Sequence, residues 1–320
     1  MKQTKKIVAL SLAAVLSLSM TACGGGNKTA ESAAPAASAA PAAESKAPAS
    51  EAPKAPSNAL EQIKADGVLT VATSPDFSPM EFVDSSKTGQ DQYVGFDVTL
   101  AKYIAEELGV KCEIQAMGFD ACQTAVYTGA VPMSISGYSW TAARAENYEL
   151  SDYYYAGDNE TEQVLLIRKA DADKYKTAAD FDGKDVGAQN ASLQMDLVTS
   201  QLSNANPVTI GDIGVGVMEL QSGNIEALAV ADGNGTQIIA NNPDLTKCEW
   251  KFEVAEEFEA NVIMIQKGET ELLEAVNAAL KKAYDGGMYA GWYEEALAIA
   301  EKESAIEVTV EAAPVASPAA

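Results

Sequence analysis

Apolar residues in this chain fall into short, nearly unbroken runs separated by longer segments that are apolar on one side only. Residues 68–72, 163–168, 227–231 and 262–266 are such runs, with the length and density of strands covered on both faces. Residues 112–117, 133–136 and 185–188 read as further strands. Between 98 and 108 the pattern changes: Leu100, Ile104 and Leu108 recur at helical spacing and Gly109 follows. This predicts a one-sided helix closed by a left-handed glycine. Helices are also expected over 236–240 and 270–284, the latter ending at Gly286-Gly287. Strands that alternate with crossover helices place the chain in the α/β class, with mainly parallel sheets covered by helices.

The ends of the chain do not share this pattern. Lys2, Lys5 and Lys6 precede an apolar stretch from Ile7 to about Met20, and Met20-Thr21-Ala22-Cys23-Gly24 follows. That order is an export signal, with residues 1–22 the signal peptide, too short to span a bilayer comfortably. Its end resembles the lipobox of bacterial lipoproteins, in which the cysteine, here Cys23, takes the lipid and becomes the mature N-terminus. An ordinary cleavage site with an incidental cysteine is the alternative. Residues 23–58 are rich in Ala, Pro, Ser, Glu and Lys with almost no large apolar side chain, so they are expected to serve as a tether rather than fold. Residues 304–320 read as a similar tail.

Composition removes several functions. A net charge of −24 without a basic patch repels phosphate backbones, so nucleic acid is excluded as a partner. The chain has no histidine, which removes the usual triad base and the commonest metal ligand, so no metal and no cofactor are expected. Apart from Cys23, Cys112, Cys122 and Cys248 are an odd set; Cys112 and Cys122 could pair, and three buried thiols are the other possibility.

Several short blocks, taken in order, carry a family resemblance. They are Thr73-Ser74-Pro75-Asp76-Phe77-Ser78-Pro79-Met80-Glu81-Phe82, Gly95-Phe96-Asp97-Val98, Phe119-Asp120, Ser136-Gly137-Tyr138-Ser139-Trp140-Thr141-Ala142-Ala143-Arg144, Leu150-Ser151-Asp152, Asp182-Gly183-Lys184-Asp185-Val186-Gly187 and Lys267-Gly268. Together they resemble the family 3 periplasmic solute-binding proteins, receptors of polar amino-acid ABC transporters. The resemblance covers about residues 60–304. It implies a type II periplasmic-binding fold of two lobes joined by two hinge crossings, residues 59–157 plus 261–303 forming one lobe and 158–260 the other. A ligand would sit in the cleft between them.

Arg144 is the foremost candidate contact. A guanidinium grips a carboxylate bidentately, and Thr141 three residues earlier can cap a helix whose free amides favour an anion. The resemblance gives Arg144 the ligand carboxylate, with Gly137 and Ser139 assisting; the alternative is a surface pair with Glu146 or Glu149. Phe77 and Phe119 would wall the cleft, and Ser136, Tyr138 and Trp140 flank the arginine motif, although aromatic side chains also serve as core. In the second lobe Asn190 and Ser192 stand in the place of a carboxylate-binding loop, with Ala191 where glycine is usual. Asp232 is the candidate for the ligand's amine. It lies one residue beyond the position the family uses, counted eight from Gly223, so a regular strand would turn it away and a bulge would restore it; it could instead cap a helix from near Thr236.

The expected function is non-catalytic capture of a small amino-acid-like ligand at the outer face of the membrane for an ABC permease, with a lipid on Cys23 as the anchor. Two alternatives are an enzyme resembling cyclohexadienyl dehydratase on the same scaffold, and a receptor that presents its ligand to a membrane sensor.

Overall fold

The structure, a computed structural model, describes residues 56–155, 162–255 and 260–311. The signal segment, Cys23 and nearly all of the tether lie outside the described residues. Lys54–Ala320 forms one compact unit.

In chain order, α1 (Ala59–Asp66), β1 (Val68–Thr73), β2 (Asp76–Phe77), β3 (Glu81–Val83), β4 (Tyr93–Val94) and α2 (Phe96–Leu108) lead into β5 (Lys111–Ala116), α3 (Phe119–Tyr127), β6 (Met133–Ser139), α4 (Ala142–Asn147) and β7 (Tyr148–Leu150). The chain then crosses to β8 (Gln163–Arg168), β9 (Asp185–Gln189), α5 (Leu193–Gln201), β10 (Asn206–Ile210), α6 (Ile213–Ser222), β11 (Ala227–Ala231), α7 (Asp232–Asn241) and β12 (Leu245–Lys251). It returns through β13 (Asn261–Gln266) and ends in α8 (Thr270–Asp285) and α9 (Met288–Glu311). The last helix therefore continues past residue 304, where the sequence suggested that a tail begins.

The two lobes are built on two five-stranded sheets, ordered β5-β1-β6-β13-β7 and β10-β9-β11-β8-β12; β2, β3 and β4 form a small antiparallel sheet of their own. Each large sheet is half parallel. β1 runs parallel to β5 and β6, and β9 to β10 and β11. β13 and β8, the first strands after each crossing between the lobes, pair antiparallel to both neighbours. The central apolar runs explain why the sheets are covered on both faces. Along β8, Val164 and Leu166 pack into one cluster with Leu228 and Val230, while Leu165 and Ile167 enter the opposite one with Ala227 and Ala229. Along β13, Ile263 and Ile265 face one core and Val262 and Met264 the other.

Two local features place the cleft wall. Gly95 joins β4 to α2 at φ 117°, and a Cβ there would stand 2.3 Å from the Met80 carbonyl, so only glycine lets the β3 loop lie against the start of α2. The amides of Phe96 and Asp97 then donate to the carbonyls of Pro79 and Met80. In β6, the pairing with β13 shifts register between Val262 and Met264, opposite a stretch containing Gly137 at φ 55°. Such an irregularity bends the strand and re-aims its side chains. Cys112, Cys122 and Cys248 are all free, with Cys122 and Cys248 donating to the carbonyls of Met117 and Tyr175.

Candidate functional site

A cleft runs between the two sheets. From the first lobe it is lined by Phe77, Glu81, Phe119, Ser136, Gly137, Ser139 and Arg144. The second lobe contributes Gln189, Leu193, Gln194, Ile210, Ile213 and the aliphatic end of β11 from Leu228 to Ala231.

Arg144 sits in the first turn of α4, where its amide donates to the hydroxyl of the N-cap Thr141 at 3.1 Å. The side chain is only 7% exposed. Its Nη1 donates to the Ser139 carbonyl at 2.6 Å and its Nη2 to the Ala191 carbonyl at 3.0 Å. The guanidinium carbon lies 5.4 Å from the Tyr138 ring centre and 5.9 Å from that of Phe119. The aromatic faces screen the cation from water and hold its fork in one plane.

Bonded to Ser136 of β6 lies an acid of β3 that the sequence motifs contained but that was not recognised as a contact. Glu81 is 1% exposed and lines the cleft. Its Oε1 accepts from the Ser136 hydroxyl at 2.6 Å. Behind it, buried Asp97 accepts at Oδ2 from the Gly137 amide at 2.8 Å and from the Tyr154 hydroxyl at 2.9 Å, and its carboxyl is in hydrogen-bond contact with that of Glu81. Burial pushes the Glu81 carboxyl well above its ordinary value, and the neighbouring Asp97 adds to this. Burial likewise raises Asp97 to about 7, against hydrogen bonds from Gly137, Tyr154 and Glu81. Two buried carboxyls in contact cannot both ionise cheaply, so the pair gives up one proton only near neutral pH and shares the other between them. The signal for Glu81 was its place in the block from Thr73 to Phe82, two residues after Pro79 on a strand too short to show periodicity.

The lobes touch on both rims of the cleft. Asp76 Oδ2 accepts from Gln189 Nε2 at 2.8 Å and from the Ile213 amide, the first of α6, at 3.0 Å. Burial raises the Asp76 carboxyl, opposed by the Ile213 amide and the Ser74 hydroxyl. Asn190 Nδ2 donates to Asp120 at 2.8 Å, and Gln123 to the Ala191 carbonyl at 3.2 Å. Ala191 has φ 58°, which accounts for the glycine usual at that position.

Six of the residues expected from the sequence therefore meet in the cleft: Phe77, Phe119, Ser136, Gly137, Ser139 and Arg144. Tyr138 is fully buried, with its hydroxyl paired to Ser134 at 2.9 Å and its ring 4.9 Å from that of Phe119; it supports the wall from behind. Trp140 packs on the same core cluster. Asn190 bridges the rim, and Ser192 caps α5 through the Met195 amide while donating to the Gln189 carbonyl; neither side chain lines the cleft. Asp232 does not line it either. β11 keeps regular register with β8 through Ala231 opposite Gln163, so no bulge turns the aspartate inward. Ala231 occupies the cleft-facing position, and Asp232 begins α7 with its carboxylate on Lys247 Nζ at 2.7 Å. The helix thus starts at Asp232 itself, four residues earlier than the sequence indicated.

Among the described residues, no group of acids and cysteines is arranged to hold a metal ion, and no helix is long and apolar enough to cross a membrane.

Comparison with known proteins agrees with this architecture. Residues 69–298 match the model of the bacterial extracellular solute-binding proteins, family 3. An arginine-binding extracellular protein of Bacillus subtilis is 27% identical over 286 residues, covering 88% of this chain and 94% of that protein. A probable histidine-binding protein of Campylobacter jejuni is 25% identical, over 74% of this chain and 87% of its own length. Among solved structures, an amino acid ABC transporter substrate-binding protein from Streptococcus pneumoniae bound to L-arginine superposes with a TM-score of 0.68 at 33% identity, over 75% of this chain and 97% of that one.

Proposed function

Since the chain belongs to the family 3 bacterial extracellular solute-binding proteins, we propose that it is the ligand receptor of an ABC importer, held at the outer membrane surface by a lipid on Cys23. We further propose that it captures a small carboxylate whose far end is positively charged. The observation that carries this reading is that Arg144 and Glu81 both line the cleft, each almost fully buried. An opposite charge that reaches a buried ionic group in a site closed to water stabilises it strongly. A ligand with an anion for Arg144 and a cation for the Glu81–Asp97 pair meets both demands, and Phe77 and Phe119 take the chain between. The arginine- and histidine-binding relatives support a ligand of this size and charge. Closure is supported by the rim contacts of Asp76 and Asn190, which bring the lobes together over the cleft.

A thermal-shift screen tests the ligand class. Carboxylates with a cationic far end are expected to raise the melting temperature, because a ligand bound only to the native state stabilises it. Dicarboxylates and apolar amino acids are expected to leave it unchanged. Stabilisation by a dicarboxylate alone would remove Glu81 from the reading, and turnover of prephenate or arogenate in the same panel would replace the receptor with an enzyme. For the anchor, Cys23→Ser is expected to release the protein from the membrane fraction; retention there by the variant would end the lipid assignment.

A further inference from the structure

We infer that α9 is a brace between the lobes: it is rooted in the first lobe, its end packs on α7 of the second, and opening of the cleft has to break that contact. Ligand release is thereby slowed. This rests on the reading of the cleft as one that closes over its solute, and adds to it an element that holds the closed form.

The root is apolar. Tyr293 and Ala296 enter the core of the first lobe with Leu100, Ile104 and Ile263, and the rings of Trp292 and Tyr293 meet that of Phe96 edge-on, with centres 6.2 and 6.5 Å away. One turn on, Ala300 is buried with Phe82 of β3 and Val94 of β4. Glu303 then accepts from the amide and the hydroxyl of Ser85 at 3.0 and 2.7 Å. Up to this residue α9 moves with the first lobe.

The end of the helix reaches the other lobe. The family match stops at residue 298, whereas α9 runs on to Glu311, about 20 Å of additional helix at about 1.5 Å per residue. α9 lies against α7 more extensively than against α2 or α8, two helices of its own lobe. Ala300 and Glu303 share the wall of a groove with Gln237, Ile238 and Asn241 of α7; Asn241 follows the other two at helical spacing, so the three lie on one face of that helix. The first turn of α7 makes a further tie, Asn234 Nδ2 donating to the Ser78 carbonyl of the first lobe at 3.3 Å.

The two crossings between the lobes are covalent and persist when the lobes part. The contact of α7 with α9 joins helices of different lobes, so it belongs to the closed form. A contact made in one state shifts the population toward that state by its own free energy. Because capture precedes closure, the effect falls on dissociation more than on association.

Stopped-flow tryptophan fluorescence with L-arginine, on the full chain and on a chain ending at Glu303, tests this; both keep the apolar root and the Ser85 bonds. The shorter chain is expected to release L-arginine at least about fivefold faster, the lower end of the usual range for coupling between sites, with its association rate within about twofold of the full chain's. Without ligand, the amide of Ile213, whose acceptor Asp76 lies across the cleft, is expected to exchange its hydrogen faster in the shorter chain. Ser304→Pro kinks the helix at the same point in the full-length chain and is expected to act alike, which decides the matter if the shorter chain does not fold. Dissociation and Ile213 exchange that both stay as in the full chain would overturn the brace and leave the reading of the cleft intact. Should no chain bind L-arginine, the cleft loses that solute, and Ile213 exchange alone decides the brace.

Discussion

Arg144→Ala is expected to weaken ligand binding at least about 30-fold, measured by calorimetry on the ligand that gives the largest thermal shift. Truncating one partner of a buried, hydrogen-bonded charge pair costs about 2–5 kcal/mol, and about 1.4 kcal/mol corresponds to each tenfold in affinity. The estimate applies here because Arg144 is 7% exposed and lies against the rings of Tyr138 and Phe119, so water cannot replace the guanidinium. Arg144→Lys separates charge from shape. An ammonium keeps the attraction but not the planar fork that reaches the Ser139 and Ala191 carbonyls together, so it is expected to recover only part of the loss. Because those two bonds also fix α4 against the loop at Ala191, a melting curve without ligand must accompany the titration. Retention of affinity within threefold in a folded alanine variant would show that the carboxylate lies elsewhere.

The strands that could be read from the sequence are those whose burial made them continuously apolar. β1, β8, β11 and β13 are central, covered on both faces, and visible as short apolar runs. The edge strands β10 and β12 were missed because an edge position lets polar residues and proline in: Asn-Pro-Val-Thr-Ile and Leu-Thr-Lys-Cys-Glu-Trp-Lys carry no such run. The antiparallel half of each sheet was illegible for another reason. Direction is set by where the chain re-enters after crossing from the other lobe, and no local propensity encodes that. The same division holds in the cleft. Arg144 was legible because Thr141 marks a helix start at fixed spacing. Asp232 was misjudged because one residue decides which face a strand side chain takes, and only the unbroken register of β11 on β8 shows which. Glu81 was overlooked because its importance comes from burial beside Asp97, a residue 16 positions away brought close by the Gly95 turn.

That buried pair gives the binding reaction a pH dependence of definite sign. Affinity for a ligand with a cationic far end is expected to rise with pH, by up to about tenfold per unit for one coupled proton, across roughly pH 5 to 7. Both carboxyls are raised by burial, Asp97 to about 7 from an ordinary value of 3.8. The empty folded protein therefore holds protons that the unfolded chain has already released. The stability linked to them is complete below the ordinary carboxylate values and is lost as pH rises through about 7. A cation at Glu81 works in the opposite direction, because it favours the singly ionised pair and expels one of the two protons. The melting temperature of the empty protein should thus fall across this window while the increment added by ligand grows. Asp76 also titrates upward of its usual range, but its partners are the Ile213 amide and Gln189 rather than the ligand, so Glu81→Gln separates the two. That variant is expected to bind more weakly above pH 7 and to lose most of the slope, whereas a slope retained in full would place the proton on the Asp76 contact between the lobes. Calorimetry in two buffers of different ionisation enthalpy reads the released proton directly. A wild-type affinity that is flat or falls between pH 5 and 7 would mean that the cation does not meet this pair.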